Sequence, residues 1–144
     1  MSDTDANRFA GVCIDSREIR KDQVFVAISG QRHDGHGFIA GVIRKGVRCV
    51  IVSSEKIDSL PVSDWQAANI ACIAVDDTTY ALGLLGAYQR ERSGVPVTAI
   101  TGSNGKTTTK EMAAKVLGRR FPVLATHGNL NNEIGLPLTL LELG

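Results

Sequence analysis

The sequence predicts an α/β fold with a mainly parallel sheet, and two observations support this class. Short apolar runs rich in β-branched residues alternate with longer segments whose apolar residues recur at helical spacing. Later in the chain, an apolar run at 95–100 precedes a glycine-rich loop and then a helical pattern at 107–117. A strand, a glycine loop and a helix in this order are typical of the start of a nucleotide-binding sheet.

The first part of the chain, residues 1–93, is predicted to be a small α/β domain. Strand-like runs stand at 9–14, 23–28, 48–52 and 70–75, and helical patterns stand at 37–45 and after 76–79. The polar residues 76–79 are suited to cap the second helix. Three of its side chains are predicted to be core, namely Tyr80, Leu84 and Tyr88. The stretch 53–69 is predicted to be irregular, with Trp65 as a packing anchor.

The second part, residues 94–144, is predicted to be the start of a P-loop nucleotide-binding domain. It offers two strands, at 95–100 and 122–125, and ends in an apolar segment at 134–143. A doubly wound nucleotide-binding domain has about five or six strands, so this domain is expected to be truncated here. We expect the isolated chain to be inactive as an enzyme and its apolar faces at 112–117 and 134–143 to be partly exposed.

Composition narrows the class of partner. The chain has 144 residues, 43% of them hydrophobic, and a formal net charge of +1, which gives no electrostatic basis for binding nucleic acid. No apolar stretch approaches the roughly 20 residues that cross a bilayer, and the acidic start at 1–5 does not resemble a secretory signal. The sequence predicts a cytoplasmic protein without membrane insertion. Its cysteines are predicted to be reduced and buried rather than metal ligands: Cys13, Cys49 and Cys72.

The loop at 101–108, Thr-Gly-Ser-Asn-Gly-Lys-Thr-Thr, predicts a phosphate site. Glycines let backbone N–H groups turn toward phosphate oxygens, and the N-terminus of the following helix adds its own N–H groups. Lys106 is predicted to act in catalysis by reaching the β- and γ-phosphates, and Thr107 to bind Mg²⁺. The strict motif would have glycine where this chain has Ile100. The predicted ATP-binding residues are Gly102, Ser103, Asn104, Gly105, Lys106, Thr107 and Thr108.

Further segments carry a resemblance to a known family. They are Asp-Ser-Arg at 15–17, Asp-Gly-His-Gly-Phe-Ile at 34–39, the extended loop at 100–112 and the stretch 128–139. Together they resemble the Mur ligases, the ATP-dependent amide ligases of bacterial peptidoglycan precursor synthesis. The resemblance covers about 11–143, and the family's P-loop also lacks the early glycine.

The resemblance implies a three-domain enzyme that is monomeric at full length and uses ATP and Mg²⁺. Residues 110–112 and 131–135 resemble the branch that joins D-alanyl-D-alanine to UDP-N-acetylmuramoyl-tripeptide. The implied reaction passes the γ-phosphate to the peptide carboxylate, and the dipeptide amine then attacks the acyl phosphate. In this scheme the first domain binds the UDP-muramoyl-peptide and the central domain binds ATP.

The same resemblance assigns site residues, each with a plainer alternative. Asp15, Ser16 and Arg17 are implied at the nucleotide-sugar end of the substrate, although Asp and Ser also cap turns. The implied lining of the same pocket is Asp34, Gly35 and His36, with a loop hydrogen bond as the alternative for the histidine. Asn131 and Asn132 are implied to orient substrate or γ-phosphate, or they form an Asn-rich turn. Glu133 is implied as a second Mg²⁺ contact beside Thr107, or it is a carboxylate at a helix N-terminus.

Two other functions remain open from the sequence. One is the sister ligase that adds the third peptide residue, which shares the P-loop but not the stretch 128–139. The other is a nucleotide- or UDP-sugar-binding module without catalysis. A generic P-loop GTPase or kinase is disfavoured, because the residues before the loop form a separate unit and the spacing differs.

Overall fold

The computed structural model describes residues 8–30, 33–128 and 132–143. It divides into two compact units, Met1–Ala81 and Leu82–Gly144, and the division falls within one long helix. No helix in the described part of the chain is long and apolar enough to cross a membrane.

The first unit contains a parallel sheet, which confirms the α/β class that the sequence predicted. All neighbouring pairs are parallel and the order is β1-β2-β3-β4, with register pairs such as Val12 to Val24 and Val50 to Cys72. A parallel pair requires a connection that crosses back over the sheet. The described strands are β1 Gly11–Cys13, β2 Gln23–Val26, β3 Cys49–Ser53 and β4 Ala71–Val75.

Short helices make the β2–β3 and β3–β4 connections, whereas a turn without a helix joins β1 to β2. A 3-10 helix at Gly35–Phe38 leads directly into α1, Ile39–Arg44, between β2 and β3. The next connection contains a 3-10 helix at Ser54–Ser59 and then α2, Val62–Ala67. The prediction that 53–69 is irregular was therefore wrong. Proline is tolerated at a helix start, so Pro61 precedes α2 instead of preventing it.

The core of the first unit lies between the strands and these helices. The fully buried side chains of Phe25, Val50 and Val52 contact Ile39 and Val42 of α1 in one hydrophobic cluster. Trp65 of α2 is also in this cluster, which confirms it as a packing anchor. The turn between β1 and β2 contributes one buried residue, Ile19. The buried aliphatic side chains belong to the strands and to the segments that connect them. Their burial fixes the register of the sheet.

Gly35 lies where the chain leaves β2 and approaches it again. Its N–H donates to the carbonyl oxygen of Ile28 at 2.9 Å. A Cβ at this position would lie 2.8 Å from the Ile28 nitrogen and 2.9 Å from its oxygen. Because both atoms belong to the backbone, a side chain here would force main-chain movement.

The described helices of the second unit are the greater part of α3 (Thr78–Ser93), α4 (Lys106–Leu117) and α5 (Gly135–Leu141). The predicted cap of α3 is confirmed in the first unit: Asp77 Oδ1 accepts from the backbone N–H of Thr79 at 2.7 Å and of Tyr80 at 3.0 Å. The predicted strands at 95–100 and 122–125 are absent among the described residues. A strand requires backbone hydrogen bonds to a neighbour, and neither segment has a paired strand there.

The buried face of α3 differs from the predicted one. Tyr80, Leu84 and Tyr88 are exposed, so their assignment to the core was wrong. In the second unit the buried positions of α3 are Leu82 and Gly86. A Cβ added to Gly86 would lie 2.8 Å from Pro137 Cα. The helices α3 and α5 thus meet through a glycine, a contact that an apolar stripe does not reveal.

The exposure expected on α4 is confirmed. Met112 is 63% exposed and Val116 is 70% exposed. The same expectation for 134–143 is confirmed for the apolar residues outside the buried face: α5 buries Gly135, Pro137 and Thr139, Leu136 is exposed, and Ile134, Leu138, Leu140, Leu141 and Leu143 are half-buried. The three described cysteines are free thiols. Cys49 is buried, whereas Cys13 and Cys72 are half-buried, so the prediction of burial was wrong for these two.

Gly35→Ala should destabilise the first unit by about 1–3 kcal/mol, because the new methyl group overlaps main-chain atoms. Gly41→Ala in α1 is the matched control. No atom lies within 4 Å of its added Cβ, and alanine favours a helix by about 1 kcal/mol over glycine. Urea denaturation at pH 7 measures both free energies of unfolding. Equal effects of the two substitutions would contradict the close approach at Gly35.

Candidate functional site

The glycine loop of the second unit contains two glycines with positive φ, a conformation suited to a phosphate site. Gly102 has φ +148° and Gly105 has φ +78°, and residues with a side chain rarely adopt either value. The left-handed Gly105 is the residue at which the chain turns from the loop into α4. The helix begins at Lys106, one residue before the predicted start, so the lysine lies in its first turn.

The first turn of α4 supplies backbone donors. The first hydrogen bond into this helix runs from Thr109 N–H to the Gly105 carbonyl oxygen at 2.9 Å. The N–H groups of Lys106, Thr107 and Thr108 precede it and have no acceptor within a helix. Gly105 has no side chain to cap them. These amides and the positive end of the helix dipole are suited to an anion.

Lys106 is held inside the loop. Its Nζ donates to the Gly102 carbonyl oxygen at 2.5 Å, and the residue is half-buried. This contact folds the lysine over the glycine loop and closes the ring between positions 102 and 106. The ammonium therefore lies beside the loop amides, where phosphate oxygens would bind. The Thr107 hydroxyl is carried by an exposed residue of the same helix turn.

A cavity of about 620 Å³ opens beside this loop within the second unit. Its polar lining includes Lys106, Thr107 and Lys110. Its apolar lining includes side chains of the 97–100 segment and of α5, namely Val97, Ile100, Leu136 and Leu140. A cavity of this size that is also lined by lysine side chains is large enough for a phosphate-bearing ligand.

The next predicted residues lie near the start of α5. Asn132 Oδ1 accepts from Gly135 N–H at 2.7 Å and from Ile134 N–H at 3.3 Å, so this side chain caps the helix. The contact supports the Asn-rich turn, and a ligand role for Asn132 stays a prediction. Asn131 lies outside the described residues. Glu133 is exposed and follows the capping residue.

The donor set fits Mg²⁺ better than a metal held by protein alone. The described residues contain no group of three or more His, Cys, Asp or Glu that could hold a metal ion. Mg²⁺ in phosphate-transferring sites commonly has one or two protein oxygens and completes its shell with water and phosphate. The Thr107 hydroxyl and the Glu133 carboxylate are hard oxygen donors of this kind. Their pairing stays a prediction.

In the first unit, the Asp15–Arg17 turn is fixed from two directions. Asp15 Oδ1 accepts from Arg17 N–H at 2.9 Å, and the two side chains form an ion pair at 2.6 Å. This pairing lowers the pKa of Asp15 to about 2. Lys45 Nζ donates to the Ser16 carbonyl oxygen at 2.8 Å and to that of Arg17 at 3.2 Å. Arg17 remains 86% exposed.

Sequence reasoning missed Lys45, because its partner lies 29 residues away and no local pattern reports such a contact. Ser16, Arg17 and Lys45 line a surface depression of about 360 Å³. Its other lining residues are Gly37, Phe38, Ala40, Gly41 and Arg44. The depression thus combines three cationic side chains with one aromatic side chain, a composition suited to an anionic ligand with a planar group. From the 34–39 segment the lining includes Gly37 and Phe38, but not the predicted substrate residues Asp34, Gly35 and His36.

Asp34 and His36 form an internal network instead. Asp34 Oδ1 lies 2.6 Å from His36 Nδ1 and accepts from His36 N–H and Ser29 Oγ, both at 3.1 Å. Asp34 Oδ2 is paired with Lys56. The Lys56 ammonium, followed by the His36 hydrogen bonds, holds the pKa of Asp34 well below its usual range. No local sequence signal indicated Ser29 or Lys56.

The buried His36 ring joins two elements. Its Nε2 accepts from the Ser53 N–H at the end of β3, at 2.9 Å. The neutral ring must then carry its proton on Nδ1 and donate it to Asp34. Both ring nitrogens are used within the chain, which supports the plainer interpretation of a loop hydrogen bond. Substrate contact by the Asp-Gly-His segment stays a prediction.

Family models match nearly all of the described chain. The model of the Mur ligase family, catalytic domain, matches residues 8–90, and the Mur ligase middle domain matches 100–144. The chain belongs to the Mur ligase family. The two matches separate the parallel-sheet part from the part that carries the glycine loop.

Two curated relatives of this chain have the same name. The chain is 41% identical over 133 residues to UDP-N-acetylmuramoyl-tripeptide–D-alanyl-D-alanine ligase of Bacillus subtilis and 39% identical over 132 residues to that of Escherichia coli. These matches cover 92% of this chain but 28% and 27% of the relatives. The chain therefore spans about 28% of the length of the curated relatives it matches.

Solved structures agree with this similarity. A UDP-N-acetylmuramoylalanyl-D-glutamyl-2,6-diaminopimelate–D-alanyl-D-alanyl ligase from Acinetobacter baumannii superposes with a TM-score of 0.80 at 43% identity, over 94% of this chain and 28% of that one. The MurF ligase of Thermotoga maritima in complex with ADP gives a TM-score of 0.76 at 33% identity, over 98% of this chain and 30% of that one. The resemblance to the dipeptide-adding branch is confirmed by these comparisons.

Acid should weaken the first unit through Asp34. Its carboxylate pKa is lower in the folded state, so its stabilisation is fully present above the unfolded pKa of about 3.9 and is lost as pH falls below that value. Asp34→Asn should lower stability at pH 7 and flatten the loss at acid pH. Asp58→Asn, at an exposed position, is the matched control. Urea denaturation at several pH values measures this. Parallel pH curves for wild type and Asp34→Asn would contradict the network.

Proposed function

We propose that this chain supplies the UDP-muramoyl-peptide-binding unit and the phosphate loop of an ATP-dependent amide ligase. The proposed reaction joins D-alanyl-D-alanine to UDP-N-acetylmuramoyl-tripeptide. The observation that carries the proposal is the left-handed Gly105 followed by Lys106 in the first turn of α4. The names of the relatives and the ADP in one structural neighbour support the choice of substrates.

The chemistry requires activation of a carboxylate. A carboxylate is a poor acyl donor, and transfer of the ATP γ-phosphate gives it a leaving group that an amine can displace. The protein's task is to hold the phosphates and to stabilise the charge that develops on their oxygens. The Lys106 ammonium and the free amides of the α4 first turn are suited to this task.

Mg²⁺ would supply further charge neutralisation at the phosphates when bound. Thr107 and Glu133 are the residues we propose to hold it. Both are exposed and carry hard oxygen donors, which suits a cation that also takes its ligands from the nucleotide.

The depression at Ser16 and Arg17 is the proposed place for the nucleotide-sugar end of the substrate. A diphosphate is anionic, and the depression carries the side chains of Arg17, Arg44 and Lys45. The Asp15 pairing orients the Arg17 guanidinium, and Phe38 offers a half-exposed ring to a base. A cytoplasmic location and a monomeric full-length enzyme stay predictions.

Lys106→Ala should weaken binding of ADP to the chain by about 10–100-fold, because a charge-assisted contact contributes about 1.5–3 kcal/mol. In a ligase of the relatives' length that contains this chain, turnover should fall by orders of magnitude. Lys115→Ala is the control, since Lys115 is an exposed lysine of the same helix. Calorimetric titration and phosphate release measure these effects. Turnover within twofold of wild type for Lys106→Ala would reject the assignment of the loop.

Arg17→Ala should weaken binding of uridine diphosphate by about tenfold or more and leave ADP binding unchanged, since a charged contact to phosphate is lost. Arg20→Ala removes an exposed arginine from the same turn region and should change neither affinity. Titration of the chain with both nucleotides tests this. A loss of uridine diphosphate affinity that Arg20→Ala reproduces would show that general charge, and not this contact, is responsible.

A further inference from the structure

Lys45 links the end of α1 to the turn that carries Arg17. Both lie in the first unit, although they are 28 residues apart in the chain. The Lys45 ammonium donates to two successive carbonyl oxygens, that of Ser16 at 2.8 Å and that of Arg17 at 3.2 Å. These carbonyls lie in the β1–β2 turn, outside the described helices and strands. One side chain therefore serves two main-chain acceptors that secondary structure does not satisfy.

The main chain at Lys45 is fixed, because α1 ends in a closed C-terminal motif. Gly46 has φ +90°, and its N–H donates to the Ile43 carbonyl oxygen at 2.9 Å. The Val47 N–H donates to the Val42 carbonyl oxygen at 3.3 Å, and both valines are buried in the hydrophobic cluster. These two bonds around a left-handed glycine form a Schellman motif. The Lys45 side chain thus starts from a main-chain position that the core holds in place.

The turn is attached to the same core through Ile19. This side chain is buried in the hydrophobic cluster that includes Val42, and its N–H donates to the Asp15 carbonyl oxygen at 3.2 Å. The Asp15 carboxylate in turn accepts from the backbone N–H and from the guanidinium of Arg17. Asp15 therefore orients the guanidinium relative to the turn, and Lys45 holds the turn relative to α1.

Hydrogen bonds, and not packing, determine the position of Arg17. Its side chain is 86% exposed, and it lines the depression together with Lys45 and Phe38. A long side chain that is free before binding must be immobilised when a ligand binds, and this ordering lowers the affinity. A turn and a guanidinium that are already held by Asp15 and Lys45 lose less freedom on binding.

We propose that Lys45 is a positioning residue for the anionic part of the nucleotide-sugar ligand. It holds the Ser16 and Arg17 carbonyls against the end of α1, so that the guanidinium is in place for a diphosphate before binding. The inference rests on the proposed function, because it assigns a role within the depression proposed to hold that ligand. Lys45 acts through Arg17 and not through a contact of its own ammonium with phosphate.

The test titrates the whole chain with uridine diphosphate. Lys45→Met keeps the side-chain length and removes the donor. It should weaken binding by about 5–10-fold, because the turn and the guanidinium must then be ordered on binding. ADP affinity should stay unchanged. Lys21→Met, the control, removes an exposed lysine from the same β1–β2 connection and should change neither affinity. Equal uridine diphosphate affinities in Lys45→Met and Lys21→Met would overturn the inference.

A double-mutant cycle separates positioning from direct contact. Added to Arg17→Ala, Lys45→Met should change uridine diphosphate affinity by no more than about twofold, because the residue through which it acts is absent. The same loss in the wild-type and Arg17→Ala backgrounds would make Lys45 an independent phosphate ligand and overturn the positioning role.

Amide hydrogen exchange of the ligand-free chain gives a second readout. The Arg17 N–H, which donates to Asp15 Oδ1, should exchange faster in Lys45→Met, since the turn then opens more often. Lys45→Arg should restore slow exchange and most of the affinity, because a guanidinium can donate to both carbonyls. A folded Lys45→Arg chain that restores neither overturns the inference. If the double variant binds too weakly to titrate, exchange decides: wild-type exchange in Lys45→Met overturns the inference.

The two arginine and lysine variants also separate this inference from the proposed function. A loss of uridine diphosphate affinity in Arg17→Ala without a loss in Lys45→Met would overturn the inference alone. Unchanged affinity in Arg17→Ala would reject the proposed place of the nucleotide-sugar end, and the positioning role with it. A wild-type chain that binds no uridine diphosphate at millimolar concentration would contradict both.

Discussion

The donation of lysine ammonium protons to main-chain carbonyls fixes each candidate binding loop of this protein. Lys45 holds the Ser16–Arg17 turn, Lys106 holds the glycine loop, and Lys110 holds the 126–128 turn. A loop carbonyl outside a helix or strand needs a donor, and an ammonium offers several at once. A carbonyl is a dipole and does not neutralise the charge. Each loop is therefore ordered while a positive potential remains beside it.

The network around Asp34 differs from these lysine–carbonyl contacts. Lys56 there meets a carboxylate, which also accepts from His36, so the positive charge is compensated by an ion pair. Such a network stabilises the junction of β2, the 3-10 helix and β3, but it leaves little field for an anion. The same residue type thus holds the proposed anion-binding loops at Lys45 and Lys106 and a structural joint at Lys56. The two kinds of site differ in the partner of the lysine, and the sequence alone does not identify that partner.

Local sequence signals were enough to predict much of the fold. The strands at 11–13, 23–26, 49–53 and 71–75 fall within or beside the predicted runs, and α4 begins where the glycine loop ends. These features depend on neighbouring residues: alternation of apolar side chains, a left-handed glycine, a capping aspartate. The strands predicted at 95–100 and 122–125 depend on pairing with other strands. Apolar composition alone could not supply that pairing.

The residues of the candidate site show the same difference between local signals and long-range contacts. The glycine loop and its lysine could be predicted from the sequence, because the residues that define them are adjacent. The Lys45 contact with Ser16 spans 29 residues, and the Asp34 pair with Lys56 spans 22, so only the folded chain reveals them. Lys110 is an intermediate case. Its position four residues after Lys106 could have indicated a shared helix face, although not the carbonyls it contacts.

The Asp-Gly-His segment shows why a family motif does not by itself identify a ligand contact. Each of its members has a separate structural requirement here: the carboxylate accepts from Ser29 and His36, a Cβ added to the glycine would lie 2.8 Å from the Ile28 nitrogen, and the imidazole accepts from the Ser53 N–H. Substitution of His36 would remove the contact with Ser53 at the end of β3, and substitution of Gly35 would disturb the backbone at Ile28. These structural roles do not require any contact with substrate. The Asp-Ser-Arg turn is different, because its arginine is almost wholly exposed and has no comparable packing role.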